Sequence, residues 1–298
     1  MASWLQDPQK FKTLLQIPVQ ILMNFTAMIP FALTWYVGMT NWIPQITIEW
    51  WRAEFVGPIN FIKAVSDQLF LESILRTLFI AAVCVPVEFL LGFLVAYVFA
   101  GNFFGKKFFT LAAVVPMMVV PAAGGYVFYL IFIGSGPANG LLQLLGIIKD
   151  PIPFLNDPTW ALASIMLADI WQWTPFIFLI MSAALLSLPQ DPINAAYVLG
   201  ATKWYTFRRV VLPMMRRPMM IAILLRAVES IKIFDYPYMM TGGGPGYSTQ
   251  TISMNLYESG FKYLKYGLTA SQSLLILITL IVVGWYAVKP LRAAQTGR

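Results

Sequence analysis

The chain has 298 residues, among them 20 Lys and Arg, 13 Asp and Glu and no His, which gives a formal net charge of +7. Apolar residues make up 59% of the chain and charged residues only 11%, whereas a soluble domain has about 25% charged residues. This composition excludes a water-soluble domain, and the lack of His beside a single cysteine, Cys84, excludes a His/Cys metal site, an intrachain disulfide and Ser-His-Asp or Cys-His catalysis.

Six stretches are long and apolar enough to cross a bilayer, whose hydrocarbon core needs about 20 residues of helix. They are 14–37, 74–99, 108–133, 160–188, 210–234 and 268–288. We therefore predict an all-α integral membrane protein with six transmembrane helices. Because six is an even number, both termini lie on the same side.

Lys and Arg predict which side this is, since they are enriched in cytoplasmic loops. Twelve lie on the side of the termini, at Lys10, Lys12, Lys106, Lys107, Lys203, Arg208, Arg209, Arg216, Arg217, Lys289, Arg292 and Arg298. Five lie in the opposite loops, at Arg52, Lys63, Lys149, Lys262 and Lys265. We therefore predict a cytoplasmic segment 1–13, a transmembrane domain 14–290 and a cytoplasmic tail 291–298, with the bilayer and not nucleic acid as the partner of the positive charge.

The cytoplasmic loop 189–213 has the signals of two short helices. Asp191 is a good N-cap, and Gly200 suits the position just after a helix end. We predict one helix over 193–199 and a second over 202–212. Two interpretations compete: a helix on the membrane surface whose cations meet anionic lipid, and a docking surface for a soluble partner.

A sequence pattern in this loop distinguishes the two interpretations. An Asn-Ala-Ala sequence is followed by a glycine and a terminal Leu-Pro, and it resembles the EAA loop of ABC-importer permeases. The residues assigned to the coupling loop are Asp191, Asn194, Ala195, Ala196, Gly200, Lys203, Leu212 and Pro213. In that family the loop carries a coupling helix that docks on the ATP-binding subunit. Asn194 stands where the family has an acidic residue.

A glycine-rich stretch after the fifth span extends the resemblance. It is similar to the Thr-Gly-Gly-Pro sequence of carbohydrate-type importers, the maltose and glycerol-phosphate transporter permeases. Its residues Thr241, Gly242, Gly243, Gly244 and Pro245 are assigned to an outer loop or gate. No Lys-Ser/Thr pair follows, as a phosphate-binding loop requires.

The resemblance implies the type I permease fold of ABC importers, in a bacterial inner membrane. It also implies the partners: a second homologous permease, two ATPase subunits and an external solute-binding protein. The chain itself is expected to hold no metal or cofactor and to catalyse nothing, with ATP and Mg²⁺ bound by the partner ATPase.

Ionisable residues inside a bilayer are costly, by about 2.5–3.5 kcal/mol each on insertion scales, and are therefore candidates for the solute path. The charged candidates are Glu88, Asp169, Arg226, Glu229, Lys232 and Asp235, and the polar and aromatic ones are Trp171, Gln172, Trp173 and Gln272. The last four charged residues are spaced three apart with alternating sign, so adjacent ones can pair along one helix. Buried structural ion pairs are the alternative to a solute path.

The function predicted from these observations is the membrane path of a binding-protein-dependent ABC importer for a sugar, polyol or related solute. Three alternatives remain. They are a secondary transporter that uses Glu88, Asp169 or Glu229 as a proton carrier, a membrane scaffold without transport, and an ABC permease for a non-carbohydrate solute.

Overall fold

The computed structural model of the protein describes residues 8–293, so parts of the predicted cytoplasmic segments 1–13 and 291–298 lie outside the described residues. Within 8–293 the chain is helical, and its one β-type contact is an isolated antiparallel bridge between Thr40 and Phe55. Five helical segments of this range are long and apolar enough to cross a membrane. They are Lys12–Gly38, Gln68–Phe99, Pro121–Leu144, Pro158–Leu186 and Tyr266–Tyr286.

Two compact units make up the described chain, one of residues 8–68 and 256–283 and the other of 69–255 and 284–293. The first unit holds helix α1 (Pro8–Gly38), a short turn at Trp50–Arg52, α2 (Ile59–Ser66) and most of α14 (Tyr266–Ala293). The second unit holds α3 (Gln68–Phe99), α4 (Lys106–Met118), α5 (Pro121–Phe132), α6 (Pro137–Leu144), α7 (Pro158–Leu186), α8 (Gln190–Val198), α9 (Lys203–Thr206), α10 (Leu212–Met214), α11 (Arg216–Ile231) and α12 (Asp235–Thr241). Helix α13 (Ile252–Tyr257) contains the boundary between them.

Helices α3 and α7 form the centre of the second unit because small residues let them approach closely. A Cβ atom added to Gly92 would lie 2.7 Å from the Cβ of Ile177, so only glycine fits at this crossing. Ala96, one turn further along α3, is also buried and packs in the same cluster as Ile177 and Met181. Close approach through small residues is how helices pack where lipid provides no hydrophobic driving force.

The third predicted span, 108–133, is divided into two helices, α4 and α5. Val119 and Val120 between them have extended backbone. Pro121 explains the break, because proline has no N–H to donate and disfavours helical backbone in the residue before it. The side-chain amide of Gln172 donates a 2.7 Å hydrogen bond to the carbonyl oxygen of Val119 and so satisfies one of the freed backbone groups.

The fifth predicted span, 210–234, is also interrupted. Its main helix, α11, has 16 residues, and it continues from α10 through Met215, whose backbone is also right-handed and helical. The chain then runs through residues 232–234 before α12 begins at Asp235. The Thr251 hydroxyl donates a 2.8 Å hydrogen bond to the Ile233 carbonyl in this connection.

In the first unit, hydrogen bonds at the end of α1 join three segments. The Gly38 carbonyl accepts one from the Asn60 amide of α2 (3.1 Å) and one from the Ser271 hydroxyl of α14 (2.8 Å). The same Asn60 amide donates to the Thr40 carbonyl at 2.8 Å. Since the last carbonyls of a helix have no partner within it, these side chains complete the end of α1.

Candidate functional site

The second unit contains a buried ion triad of Glu88, Asp169 and Arg226, on α3, α7 and α11. The guanidinium donates from Nε to Glu88 Oε2 (2.5 Å) and from Nη2 to Glu88 Oε1 (2.9 Å), and Nη2 also donates to Asp169 Oδ2. All three side chains are at most 2% exposed. Glu88 reaches this position because it shares a face of α3 with the buried Cys84 and Gly92.

The triad links three helices at the depth of the membrane. Asp169 and Gln172 are near the middle of the 29-residue α7, so Arg226 is held near the centre of the bilayer. The ring of Trp173 lies 4.9 Å from the guanidinium carbon, which adds a cation–π contact. The bidentate pairing of Arg226 with Glu88 offsets part of the cost of burying these charges.

Cys84, Glu88 and Asp169 also bring possible metal-ligand atoms within 4.8 Å of one another. Both carboxylates, however, already bind the positively charged Arg226. A cation at this position would have to displace the guanidinium, so the geometry describes an ion triad and not a metal site.

The prediction that charges three residues apart pair along the fifth span is right for one pair only. Lys232 donates to Glu229 at 2.7 Å. Arg226 pairs instead with the two distant carboxylates, and Asp235 belongs to the next helix, because α11 ends at Ile231. The Glu229–Lys232 pair is also exposed, with 40% and 57% of the two side chains accessible, so it is not a buried pair.

The polar and aromatic path candidates are in different environments. Trp171 is exposed and contacts the ring of Phe128 at 5.3 Å, whereas Gln172 is buried and supports the helix break at Val119. Gln272 belongs to the first unit, where its amide donates to Asp67 at 3.3 Å.

At the predicted cytoplasmic side, α8 and α9 form the helix pair expected from the loop sequence. As predicted, Gly200 follows the end of α8 with a left-handed backbone (φ +82°). Its N–H donates to the Tyr197 carbonyl, and the next N–H, of Ala201, donates to the Ala196 carbonyl. This double hydrogen bond is the Schellman motif, in which glycine is the preferred residue.

The N-terminus of α8 differs from the prediction. The N-cap is Pro189, and Asp191 is inside the first turn without capping the helix. A carboxylate in the first turn still interacts favourably with the helix dipole. Asn194 is therefore the fifth residue of α8, so it is too far along the helix for a capping box.

The second helix of the pair begins at Lys203, one residue after the predicted start. The Thr202 side chain caps α9 by accepting from the Tyr205 N–H at 3.3 Å. A turn of π-helix, Phe207–Val211, joins α9 to α10, which contains Leu212 and Pro213. The pair presents an apolar surface, because Val198 and Leu199 are each 87% exposed and Trp204 is exposed as well.

The glycine-rich stretch forms a tight turn after α12. Gly242 and Gly243 both have left-handed backbone (φ +58° and +88°). The Thr241 and Thr249 hydroxyls are 2.6 Å apart, and the Thr249 hydroxyl donates to the Gly244 carbonyl at 2.8 Å. Pro245 follows within this closed turn.

Beside this turn is a cavity of about 390 Å³. Its wall includes Thr241 and Gly242 at the end of α12, and Tyr129, Phe154 and Asn156 from the preceding part of the unit.

Sequence reasoning missed the helix break at Val119–Val120 and its support by Gln172. The signal was present, since Pro116 and Pro121 stand on both sides of the break. It also missed Arg76, which donates to the Gln250 carbonyl (2.9 Å) and to Glu72 (2.7 Å).

Long apolar helices, broken spans and a buried charged centre define the class of protein: a multi-pass helical membrane protein. Residues 57–289 match the family model described as the binding-protein-dependent transport system inner membrane component. The chain belongs to this family, and it is therefore a permease component of a binding-protein-dependent ABC importer. This membership decides against the secondary-transporter and scaffold alternatives.

The names of similar proteins agree with this family assignment. A probable ABC transporter permease of Sinorhizobium fredii is 33% identical over 90% of this chain and 85% of its own length. The trehalose/maltose transport system permease MalF of Thermococcus litoralis is 30% identical over 76% of each chain.

Solved structures share the fold. A chain of a bacterial ABC transporter that imports the acidic polysaccharide alginate superposes with a TM-score of 0.81, at 18% identity and over 97% of both chains. A chain of the alginate transporter in complex with a pentasaccharide-bound periplasmic protein gives 0.78 over 96% of both chains, also at 18% identity.

Proposed function

We propose that this chain, together with a second homologous permease, forms the membrane path for a carbohydrate, polyol or related solute. The relatives that support this solute class are named for trehalose and maltose, and the structural neighbours for alginate. The path opens to the two sides of the membrane in turn, driven by partner ATPases.

The observation that carries the proposal is charge exposed at bilayer depth. Glu229 lies three residues beyond Arg226 on α11, about 4.5 Å further along the helix axis, and Arg226 is bound at the level of Asp169. The exposed Glu229–Lys232 pair is thus inside the hydrocarbon region, where lipid-facing charges are costly. Its surroundings in the assembled protein are therefore water or another subunit.

The helix break between α4 and α5 also indicates that part of this surface does not face lipid. Non-helical backbone at membrane depth is tolerated only where protein buries it or a water-filled cavity borders it. Val120 is 66% exposed in this chain, next to the Val119 carbonyl that Gln172 supports. This surface of the second unit therefore also faces a wet path or a partner.

Aromatic side chains near this depth suit a sugar. The exposed ring of Trp171 offers a flat face to C–H-rich sugar surfaces, and a few fixed polar groups then orient the hydroxyls. Glu88 and Asp169 serve differently in this proposal: they hold α3, α7 and α11 together through Arg226.

On the cytoplasmic side, α8 is the coupling helix and docks on a partner ATPase that binds ATP and Mg²⁺. The exposed Val198 and Leu199 side chains provide its apolar contact surface. The chain itself hydrolyses nothing. On the other side, a solute-binding protein docks on loops that include 236–266, and the membrane is the bacterial inner membrane.

A matched pair of glycine variants tests the coupling role. Gly200 and Gly146 both have left-handed backbone, and a Cβ atom at either position meets nothing within 4 Å. Asn tolerates this conformation better than other side chains, so Gly200→Asn and Gly146→Asn are expected to fold alike. In the reconstituted importer, Gly200→Asn should reduce solute uptake per ATP hydrolysed, and Gly146→Asn should not.

Two outcomes would contradict parts of the proposal. If uptake per ATP is unchanged in Gly200→Asn, the coupling helix is not at this position. The solute class is tested separately, by uptake of sugars, polyols, peptides and polyamines with the cognate binding protein. Transport of peptides or polyamines alone would favour the non-carbohydrate alternative.

A further inference from the structure

The segment 39–67, which follows α1 in the first unit, is folded and not a loose loop. Backbone hydrogen bonds join Asn41 N–H to the Glu54 carbonyl (2.9 Å) and Val56 N–H to the Met39 carbonyl (2.8 Å). They flank the bridge between Thr40 and Phe55. The two ends of the stretch 39–56 are therefore held together by backbone hydrogen bonds.

The position of this segment follows from its attachment to α1. The apolar span Lys12–Gly38 has 27 residues, about 40 Å of helix, whereas the hydrocarbon core is about 30 Å thick. Gly38 is therefore at the level of the lipid headgroups. Asn60 binds the Gly38 and Thr40 carbonyls directly, so α2 is held at this same level.

Large apolar side chains point outward from the segment. Between Thr40 and Phe55, Ile46 is 79% exposed, Ile48 85% and Trp51 59%. On α2 the exposed apolar residues are Ile59, Ile62 and Val65. We call these six residues the outer apolar face.

Helix α2 is amphipathic in a way that fits a membrane interface. Its buried residues are Asn60 and Ala64, while Ile59, Ile62 and Val65 recur every three residues on its exposed side. Lys63 borders this apolar side, and a Lys side chain can extend its charge from an apolar surface to the headgroups. Tryptophan, as at position 51, is enriched at the membrane–water interface.

We propose that the outer apolar face inserts into the outer leaflet of the bilayer, at the boundary of headgroups and acyl chains. Lipid is the occupant that the geometry favours, because the segment is bound to the end of one span at headgroup level and leads directly into the next span, at Gln68. The anchor fixes the height of Asn60 and of the carbonyl groups that it binds. This inference is independent of the solute and of the coupling helix.

Site-directed spin labelling of the complete importer tests this proposal. Cys84, the one cysteine of the chain, is replaced by Ala, and single cysteines are introduced as Ile48→Cys, Ile62→Cys and, as a water-facing control, Glu54→Cys. The importer is reconstituted in nanodiscs of phosphatidylethanolamine and phosphatidylglycerol. Collisions of each label with oxygen and with a water-soluble nickel chelate are then measured.

If the face inserts into lipid, the labels at 48 and 62 collide with oxygen and are protected from nickel. Their depth should be about 5–10 Å below the headgroup boundary, as for other interfacial helices, while the label at 54 collides with nickel. Nickel access at 48 and 62 would overturn the proposal in favour of water. Protection from both reagents would overturn it in favour of a protein, either the second permease or the binding protein. If a labelled variant fails to assemble, Ile46→Cys or Val65→Cys replaces it.

Discussion

Removing the positive charge of the ion triad is the perturbation with the largest expected effect on stability. Arg226→Met keeps much of the side-chain volume but leaves Glu88 and Asp169 facing each other in a buried site. Breaking a buried ion pair by removing one partner costs about 3–5 kcal/mol. At 1.36 kcal/mol per factor of ten, this is roughly a 10²- to 10⁴-fold change in the unfolding equilibrium.

Neutralising the whole triad should cost much less. In the triple variant Glu88→Gln, Asp169→Asn, Arg226→Met no buried charge remains, and the two amides can hydrogen-bond to each other. Removing a complete buried ionic group is often close to neutral. We therefore expect the triple variant to recover most of the stability lost in Arg226→Met.

The free energy of unfolding in bicelles, measured by steric trapping, distinguishes these variants. Lys232→Met is the matched control, because Lys232 is also paired on the same segment but is 57% exposed, so its loss should cost at most about 1 kcal/mol. The reasoning is refuted if Arg226→Met is no more destabilising than Lys232→Met, or if the triple variant loses the sum of its single losses.

Two other predictions concern the helix break and the exposed ion pair. Gln172→Leu removes the donor to the Val119 carbonyl and should lower stability by about 1–3 kcal/mol, measured as a lower melting temperature. The control is Thr174→Val on the same helix, whose hydroxyl donates back to the Ile170 carbonyl, and it should lower the melting temperature less. Equal losses in the two variants would reject the supporting role of Gln172. Glu229→Gln together with Lys232→Gln should leave stability within about 1 kcal/mol but change the rate or selectivity of solute uptake in proteoliposomes, and unchanged uptake would remove the pair from the path.

The long helices could be predicted from sequence because apolar length alone determines them. The stretches 74–99 and 160–188 correspond to α3 and α7: α7 begins and ends within two residues of the predicted limits, whereas α3 ends as predicted and begins six residues earlier. The break in the third span has a local signal in Pro116 and Pro121, but its support by Gln172 is tertiary, and so is the bond from Thr251 that supports the break in the fifth span. Average hydropathy does not change at such positions.

The charged residues of the membrane could be identified from sequence, but most of their partners could not. Spacing along one helix favours local pairs, whereas Arg226 binds carboxylates that are 57 and 138 residues away in sequence. Only the fold shows that α3, α7 and α11 meet at this level. The same limit explains why Glu229 and Lys232 could not be recognised as exposed.

The helix pair α8 and α9 contains one strong local signal and one weak one. Gly200 was predictable because few other residues adopt a left-handed backbone after a helix. The start of α8 was not, since Asp191 and Pro192 are both compatible with a first turn as well as with a cap. The helix begins at Gln190, so the cap lies two positions earlier than predicted.

The central claim is that α8 transmits work from a separate ATPase. Its most direct test is cross-linking of single cysteines, introduced between positions 193 and 204 in a Cys84→Ala background, in the complete importer. We expect cross-links to the ATPase subunit, with yields that change when ATP is bound. Labelling of these cysteines from the outer side of the membrane, or cross-links to lipid alone, would contradict the claim.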